Sequence, residues 1–191
     1  MTLLFIRHTS VDVEPGTCYG QTDVPLKESF REEASEVKSR LSHCHIKAVY
    51  CSPLSRCVRL AHFCGFEHPI IDPRLMEMNF GDWEMKKYDE IDDPRLQMWY
   101  DDFLNFTPTN GESSMQQRDR LKSFLDDLWK KYGSGKKESA GADEYTTIAI
   151  FTHGGIIIHA MTLLEGITYP QAFARQPHYG DIIPLQMTSS I

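Results

Sequence analysis

The sequence lacks long hydrophobic runs and any excess of positive charge. Its N-terminal apolar run, Leu3 to Ile6, is far too short for a signal-peptide core or a membrane span. The 191 residues carry a formal net charge of -7, which argues against binding to nucleic acid or anionic membranes through bulk positive charge. We therefore expect a cytoplasmic protein with neither a nucleic-acid nor a membrane partner.

The sequence also lacks the cysteine patterns that indicate disulfides or a metal site. The five cysteines are odd in number and form no CxxC pair, so we expect reduced thiols. The histidines form no HExxH motif, and no cysteine pair has metal-ligand spacing. The sequence therefore predicts no metal and no cofactor.

What is present is the alternation of strands and helices that is typical of an α/β fold. Length and composition fit one globular domain over residues 1–191. Apolar runs predict strands at Leu3–Ile6, Ala48–Cys51, Ile70–Ile71 and Thr146–Phe151, and an edge strand, because it contains Pro184, at Ile182–Met187. Helical periodicity predicts helices over Lys27–His45, Leu54–Cys64, Lys87–Leu104, Ser113–Lys131 and Ile156–Leu164. The segment Gly133–Asp143 is expected to be a flexible surface loop. This order predicts a largely parallel sheet between helical layers.

Two of the predicted strands end on histidine. The first is followed by His8 and the fourth by His153, while Ser52-Pro53 leads from the second strand into a helix that carries Arg56. The carboxyl ends of parallel strands meet at one edge of a sheet, where α/β proteins bind ligands. We therefore expect four side chains to converge there: Arg7, His8, Arg56 and His153.

Such a cluster of nitrogen donors suits a phosphoryl group and would repel a metal cation. Guanidinium groups pair bidentately with phosphate oxygens, and a neutral imidazole is a competent nucleophile. The pair Gly154-Gly155 allows backbone N–H groups at a helix N-terminus to approach an anion closely. The residues therefore indicate phosphoryl transfer through a covalent intermediate.

A departing alkoxide needs a proton, which a carboxylic acid supplies near neutral pH only if its surroundings raise its pKa. Glu77 in LMEMNFGDWE is the best candidate, because it lies between apolar residues of a loop. His178 stays ambiguous. The remaining histidines are expected to be surface or core residues: His43, His45, His62, His68 and His159.

The segments IRHT, YGQTDVPL, YCSPLSRCVRLA, LMEMNFGDWE, NGES and FTHGG resemble, in the same order, those of the histidine phosphatase superfamily, which includes cofactor-dependent phosphoglycerate mutase. The resemblance implies a three-layer α/β/α fold like that of phosphoglycerate mutase. It further implies that His8 becomes phosphorylated and that Glu77 is the proton donor. By the same resemblance, Arg7 and Arg56 bind phosphate and His153 completes the pocket as a third catalytic residue. Gly154, at the predicted helix start, is expected to bind phosphate as well.

Within this superfamily, CYGQTDVPL and the later HYGD most resemble α-ribazole phosphatases, which remove the 5′-phosphate of α-ribazole 5′-phosphate in cobalamin assembly. The implied partner is a small phosphate ester. The residues expected to contact the substrate are Thr9, Tyr19, Gly20, Gln21 and Thr22. The sequence departs from the superfamily pattern at Thr9, where glycine is usual, at Glu14, where asparagine is usual, and at Met85, where glycine is usual.

Two alternatives remain open. One is a phosphoglycerate mutase or a broad sugar-phosphate phosphatase, although the chain is short for a mutase. The other is a catalytically silent phospho-ligand binder, which the joint presence of His8, Glu77 and His153 disfavours because binding alone needs no acid. The sequence leaves the oligomeric state open and is compatible with a homodimer.

Overall fold

The structure is a computed structural model that describes residues 1–133 and 146–191. Most of the predicted Gly133–Asp143 loop lies outside these residues. The described chain forms a five-stranded sheet with the strand order β3-β2-β4-β1-β5. Its strands are β1 (Thr2–Arg7), β2 (Ala48–Cys51), β3 (Ile70–Ile71), β4 (Thr147–Thr152) and β5 (Ile182–Gln186). The first four run parallel, and β5 pairs antiparallel with β1.

The two central strands are the most continuously apolar segments of the sequence. β1 pairs with β4 in a register that sets Leu3 beside Ile148 and Arg7 beside Thr152. Strands that are covered on both faces need apolar side chains at every position, which explains the unbroken runs in both segments. This register brings the carboxyl ends of β1 and β4 side by side.

Six α-helices lie among the described residues: α1 (Phe30–Leu41), α2 (Ser55–Phe63), α3 (Arg95–Asp101), α4 (Ser114–Leu128), α5 (Gly154–Glu165) and α6 (Tyr169–Ala174). Leu4 and Ile6 of β1 pack with buried residues of α1 and α2, whereas Leu3 and Phe5 pack with buried residues of α4, α5 and α6. Successive side chains of a strand point to opposite faces, so β1 contributes to both cores. The predicted three-layer α/β/α fold is confirmed.

The helix predicted over Lys87–Leu104 is wrong in extent. The chain there forms a short 3-10 turn at Tyr88–Glu90, and α3 begins only after Pro94. Proline lacks an N–H donor and clashes with a preceding helical turn, so it sits at a helix start and not in the middle. The first predicted helix is also shorter than expected, because α1 begins at Phe30 and ends at Leu41.

α6 was not predicted, although its start carries a local signal. The Thr168 side chain accepts a hydrogen bond from the backbone N–H of Gln171, the Gln171 side chain accepts one from the Thr168 N–H, and Pro170 occupies the first turn. Within the described sheet, β5 is an edge strand as predicted: it pairs with β1, where Pro184 lies opposite Leu4. Among the residues that the structure describes, no helix has the length and apolar character needed to cross a bilayer.

Candidate active site

His8 and His153 meet at the carboxyl edge of the sheet. Each follows the last residue of its strand, and the His8 backbone N–H donates to the Thr152 carbonyl across 3.1 Å. Their ring centres lie 5.2 Å apart in an edge-to-face arrangement, and both rings are buried. The structure therefore brings together the two histidines that the sequence places 145 positions apart (153 − 8 = 145).

The His8 ring has one defined tautomer. Its Nδ1 lies 2.8 Å from the Thr9 carbonyl oxygen, and a carbonyl can only accept, so Nδ1 carries the proton. Burial and the nearby charges of Arg56 and Arg7 lower the pKa of His8 to about 3, against a raising contribution from the Thr9 hydrogen bond. His8 is therefore neutral at physiological pH, with the lone pair on Nε2.

His153 is held by polar groups of two other segments. Its Nε2 lies 2.8 Å from the Ser52 hydroxyl, and the Cys57 sulfur lies 3.5 Å from the same nitrogen. Complete burial, followed by the charge of a protonated His8 and that of Arg56, holds the pKa of His153 well below its ordinary value. A neutral imidazole with a fixed ring orientation is the result.

Arg56 is fully buried and is held by the segment that contains YGQT. Its Nη2 donates to the Gly20 carbonyl at 2.5 Å and its Nη1 to the Thr22 carbonyl at 3.0 Å. Glu84 holds this segment in turn, because its carboxylate accepts from the backbone N–H groups of Gln21 and Thr22 and from the Thr22 hydroxyl. Of the five residues predicted to contact substrate, Tyr19 lines the cavity described below, and four do not: Thr9, Gly20, Gln21 and Thr22. The last three instead contact Arg56 or Glu84.

Arg7 is fixed from the opposite side. Its Nη1 donates to the Pro177 carbonyl at 2.7 Å, and its guanidinium carbon lies 4.2 Å from the centre of the Tyr179 ring. Within residues 1–133 and 146–191, four buried side-chain polar atoms have no hydrogen-bond partner. One is Nε1 of Trp99, and the other three belong to residues around His8: Nε of Arg7, Nε of Arg56 and Oγ1 of Thr9. Buried donors without partners are costly, and all three can donate to the oxygens of one anion.

Glu77 reaches the N-terminus of α5. Its Oε1 accepts from the Gln117 side chain at 2.8 Å and from the Met78 N–H at 2.9 Å, while Oε2 accepts from the Gly155 N–H at 3.1 Å. A β-carbon at position 155 would overlap Glu77 Oε1. Glycine at this position therefore lets the carboxyl group approach the helix.

A cavity of about 350 Å³ reaches Arg7, His8 and Glu77, whereas Arg56, His153 and Thr9 are buried behind its wall and do not line it. Its polar end is lined by Arg7, His8, Glu77 and Gly154, and Tyr19 also faces it. The remaining lining residues include six aromatic side chains: Phe80, Tyr88, Trp99, Phe103, Tyr169 and Phe173. The cavity can thus hold an anionic group at one end and a flat apolar group at the other.

Most of the residues that line this cavity were not predicted as site residues, among them Ser114, Gln117 and His159, and Tyr179 beside it was not predicted either. His159 was expected to be an ordinary surface or core histidine. A sequence signal existed for Ser114, Gln117 and His159. Ser114 and Gln117 follow helical spacing with Leu121 on α4, and His159 lies one turn after Gly155 on α5. Polar side chains on an otherwise buried helical face indicate a lined cavity.

The three departures from the superfamily pattern have different structural settings. Thr9 is buried beside His8 with its hydroxyl unpartnered, as given above. Glu14 lies on the surface and forms an ion pair with Lys87 at 2.8 Å. Met85 adopts a φ of 66°, a left-handed conformation that favours glycine.

Comparison with known proteins agrees with this geometry. The family model of the histidine phosphatase superfamily (branch 1) matches residues 3–190. The adenosylcobalamin/alpha-ribazole phosphatase of Salmonella typhimurium is 32% identical over 135 residues, which is 67% of this chain and 67% of that protein. The crystal structure of the alpha-ribazole phosphatase from Shigella flexneri superposes with a TM-score of 0.84 at 25% identity, covering 98% of this chain and 91% of that one.

A further similarity is less extensive. An Escherichia fergusonii protein named "Probable phosphoglycerate mutase GpmB" is 30% identical over 114 residues, which is 56% of this chain and 52% of that protein. The family match covers nearly the whole chain, and the relatives that share most of its length carry the phosphatase name. The chain therefore belongs to branch 1 of the histidine phosphatase superfamily and is an enzyme of the phosphatase class.

Proposed function

We propose that this enzyme is a metal-independent phosphomonoesterase that works through a phosphohistidine at His8. The observation that carries the proposal is the Nδ1 contact of His8 with the Thr9 carbonyl, which leaves a neutral Nε2 beside Arg7 and Arg56. Such a nitrogen is a nucleophile without prior deprotonation. Two guanidinium groups beside it also repel a metal cation.

In the first step, Nε2 of His8 attacks phosphorus, an N–P bond forms, and the P–O bond to the leaving alcohol breaks. Arg7, Arg56 and the N–H of Gly154 at the start of α5 stabilise the charge on the transferred group. His153 packs against the His8 ring and completes this pocket. Glu77, in its protonated form, gives its proton to the departing alkoxide.

In the second step, water attacks the phosphohistidine. Glu77 now accepts a proton from the attacking water, the N–P bond breaks, and inorganic phosphate leaves. His8 returns to its neutral state with the proton still on Nδ1. The Gln117, Met78 and Gly155 donors hold the Glu77 carboxyl group at one place during both steps.

We propose α-ribazole 5′-phosphate as the substrate, acted on in the cytoplasm. The compound joins a ribose phosphate to a flat dimethylbenzimidazole ring, and the aromatic end of the cavity suits such a ring. The similarity to alpha-ribazole phosphatases along most of the chain supports the same substrate. Of the residues proposed to contact it, Thr9 would meet the phosphate and Tyr19 the entrance of the cavity.

The similarity to the probable phosphoglycerate mutase, which covers a shorter part of the chain, favours the mutase alternative. The small number of positively charged side chains in the cavity disfavours it. A phosphoglycerate leaving group carries a carboxylate, which needs a cationic partner when buried. Among the described residues that line the cavity, Arg7 is the only lysine or arginine, and it belongs to the phosphate end. The aromatic end therefore suits an uncharged leaving group better than a charged one.

Rapid mixing with substrate tests the mechanism. We expect acid-labile phosphate on wild-type protein in the presence of EDTA, none on His8→Ala, and normal labelling of His43→Ala, which alters an exposed histidine. We expect at least 1,000-fold loss of kcat in His8→Ala, on the order of other losses of a catalytic nucleophile. Substantial activity of folded His8→Ala, or loss of wild-type activity in EDTA, would contradict the mechanism.

A panel of esters tests the substrate. We expect kcat/KM for α-ribazole 5′-phosphate to exceed that for 3-phosphoglycerate and for simple sugar phosphates. Equal turnover across the panel would instead support the broad phosphatase. Binding of the esters without hydrolysis would support the silent binder.

A further inference from the structure

The aromatic end of the cavity contains one polar cluster that phosphoryl transfer does not use. His159 Nε2 lies 3.2 Å from the Ser114 hydroxyl, and His159 Nδ1 lies 3.0 Å from the Tyr169 hydroxyl. Three helices supply these residues, namely α4, α5 and α6, and all three residues line the cavity. Hydrogen bonds of this cluster therefore link the three helices that form this part of the cavity wall.

The cluster lies at a defined place relative to the proposed chemistry. His159 follows Gly155 by four residues on α5, which corresponds to about 6 Å along the helix axis. The Gly155 N–H binds Glu77, the proposed proton donor to the leaving group. A leaving group that extends along α5 from Glu77 would reach His159 after about one helical turn.

The cluster has one hydroxyl proton to spare. A neutral imidazole donates from one ring nitrogen and accepts at the other. If Nδ1 donates to Tyr169, then Ser114 donates to Nε2 and the Tyr169 hydroxyl faces a weak acceptor, the Met115 sulfur at 4.0 Å. In the other tautomer, Tyr169 donates to Nδ1 and the Ser114 proton has no acceptor among the described residues. Burial lowers the pKa of His159 to about 4, so the ring is neutral and this alternation holds at physiological pH.

Aromatic rings surround the cluster. The Phe103 ring centre lies 6.3 Å from that of Tyr169 and 5.4 Å from that of Phe173, and the Tyr169 ring stands edge-on to His159 at 5.6 Å. Phe173 is 44% exposed, so a flat ring bound among these side chains is shielded from water on the side of Phe103 and His159. An acceptor atom on that ring then needs a protein donor, which the spare hydroxyl proton supplies.

We propose that Ser114, His159 and Tyr169 form a leaving-group subsite that donates one hydrogen bond to an acceptor atom on a flat aromatic ring. The subsite rests on the proposed function, since it takes the alcohol part of the ester that His8 attacks. His159 acts as a positioning residue that directs the hydroxyl proton of Ser114 or Tyr169 into the cavity. The subsite discriminates a ring that bears an acceptor nitrogen from one that bears C–H at the same place.

A matched pair of substrates tests this subsite. One ester is α-ribazole 5′-phosphate, whose benzimidazole ring has an unsubstituted acceptor nitrogen. The other replaces that nitrogen by C–H and is the corresponding dimethylindole ribonucleotide. We expect wild-type kcat/KM to be about tenfold higher for the benzimidazole ester, because the site would otherwise bury an unpaired donor.

The double variant Ser114→Ala/Tyr169→Phe removes both hydroxyls and keeps the aromatic ring. We expect it to reduce the tenfold preference to within about twofold, mainly by lowering kcat/KM for the benzimidazole ester. Ser35→Ala/Tyr100→Phe makes the same chemical change at two exposed positions outside the cavity and serves as the control, which should keep the wild-type preference. If the double variant does not fold, the preference must fall in one of the two single variants.

A preference that survives removal of both hydroxyls would overturn the subsite, because a merely structural cluster changes both esters equally. The dephosphorylated forms of the two esters are alcohols that the enzyme cannot hydrolyse. Titration calorimetry with these two alcohols measures the same preference as a ratio of Kd values, without catalysis. If wild-type protein hydrolyses neither ester, the proposed function fails while the alcohol titrations still test the subsite. If wild-type protein binds both alcohols equally well, the subsite fails while the phosphohistidine mechanism stands.

Discussion

The hydroxyl oxygens of Tyr19 and Tyr179 lie 2.7 Å apart, and each ring faces a different arginine of the phosphate pocket. The guanidinium carbon of Arg7 is 4.2 Å from the Tyr179 ring centre, and that of Arg56 is 5.7 Å from the Tyr19 ring centre. Burial and the hydrogen bond to Tyr179 raise the pKa of Tyr19 well above its ordinary value, so its hydroxyl stays protonated. The tyrosine pair therefore joins the two sides of the pocket above His8.

Replacing Tyr179 should weaken phosphate binding through Arg7. We expect Tyr179→Leu to raise the Kd for vanadate, a phosphate analogue, about fivefold, because an Arg–aromatic contact contributes about 1 kcal/mol at a partly exposed site. Tyr179→Phe keeps the ring and should change Kd only about twofold. Titration calorimetry measures both values, and equal losses in the two variants would show that the ring does not support Arg7.

Two neighbouring glycines should respond differently to the same substitution. Gly155→Ala places a methyl group against the Glu77 carboxyl group, and we expect kcat to fall about a hundredfold, as it does when a general acid is misplaced. At Gly154 the nearest atom to an added methyl group is the Arg7 guanidinium carbon at 3.4 Å, an ordinary contact. Gly154→Ala should therefore keep kcat within about fivefold. Steady-state kinetics on both variants decides this, and a similar loss in each would argue against the Glu77 role.

Buried neutral histidines should make the protein less stable in acid. Burial lowers the pKa of His159 to about 4, below the value of about 6.5 in the unfolded chain. Between these values the unfolded state binds the proton and the native state does not, so the free energy of unfolding falls as pH falls below 6.5. From pH 7 to pH 5 one such residue accounts for about 2 kcal/mol.

The variant His159→Leu removes this contribution. Urea denaturation gives the free energy of unfolding at pH 7 and at pH 5. We expect its decrease between these pH values to be about 2 kcal/mol smaller in the variant than in the wild-type protein, whatever the stability of the variant at pH 7. His8, with a pKa of about 3, keeps its own contribution in both proteins. Identical pH dependence in the two proteins would mean that His159 is already protonated or solvated in the native state.

Met85 offers a stabilising substitution outside the site. Its φ of 66° strains a residue with a side chain, and half of its surface is exposed, so little packing is lost on removal. We expect Met85→Gly to raise the free energy of unfolding by about 1 kcal/mol and to leave kcat unchanged. Asn110, with a φ of 59°, is the matched comparison, and Asn110→Gly should gain less because asparagine tolerates this conformation. A loss of stability in Met85→Gly would mean that the methionine side chain contributes more than the strain costs.

The sheet and the phosphate end of the cavity follow from local patterns. Unbroken apolar runs identify β1 and β4 as central strands, and Pro184 identifies β5 as an edge. Arg7, His8 and His153 could be placed because each lies at or next to the end of a predicted strand. Arg56 could be placed because its helix follows the next strand directly.

The aromatic end could not be predicted, because it depends on how α4, α5 and α6 pack together. Ser114 and His159 meet although 45 positions separate them, and the periodicity of each helix is equally consistent with an ordinary core. Gly20 and Thr22 were expected at the substrate, and the structure uses their carbonyls to hold Arg56. Local sequence patterns do not predict which backbone carbonyl accepts a hydrogen bond from a buried arginine.

The contact between Arg7 and Pro177 has a consequence for biosynthesis. The Arg7 guanidinium donates to a carbonyl 170 residues later in the chain, and the Arg7 N–H donates to Asp181. A ribosome makes the Pro177–Asp181 segment more than 160 residues after the His8 segment. Contacts of such high sequence separation form late in folding, since the loop between them must close first. A nascent chain therefore holds His8, the proposed nucleophile, without the groups that orient Arg7 until the Pro177–Asp181 segment has been made, and we expect reactivity toward phosphate esters only after that point.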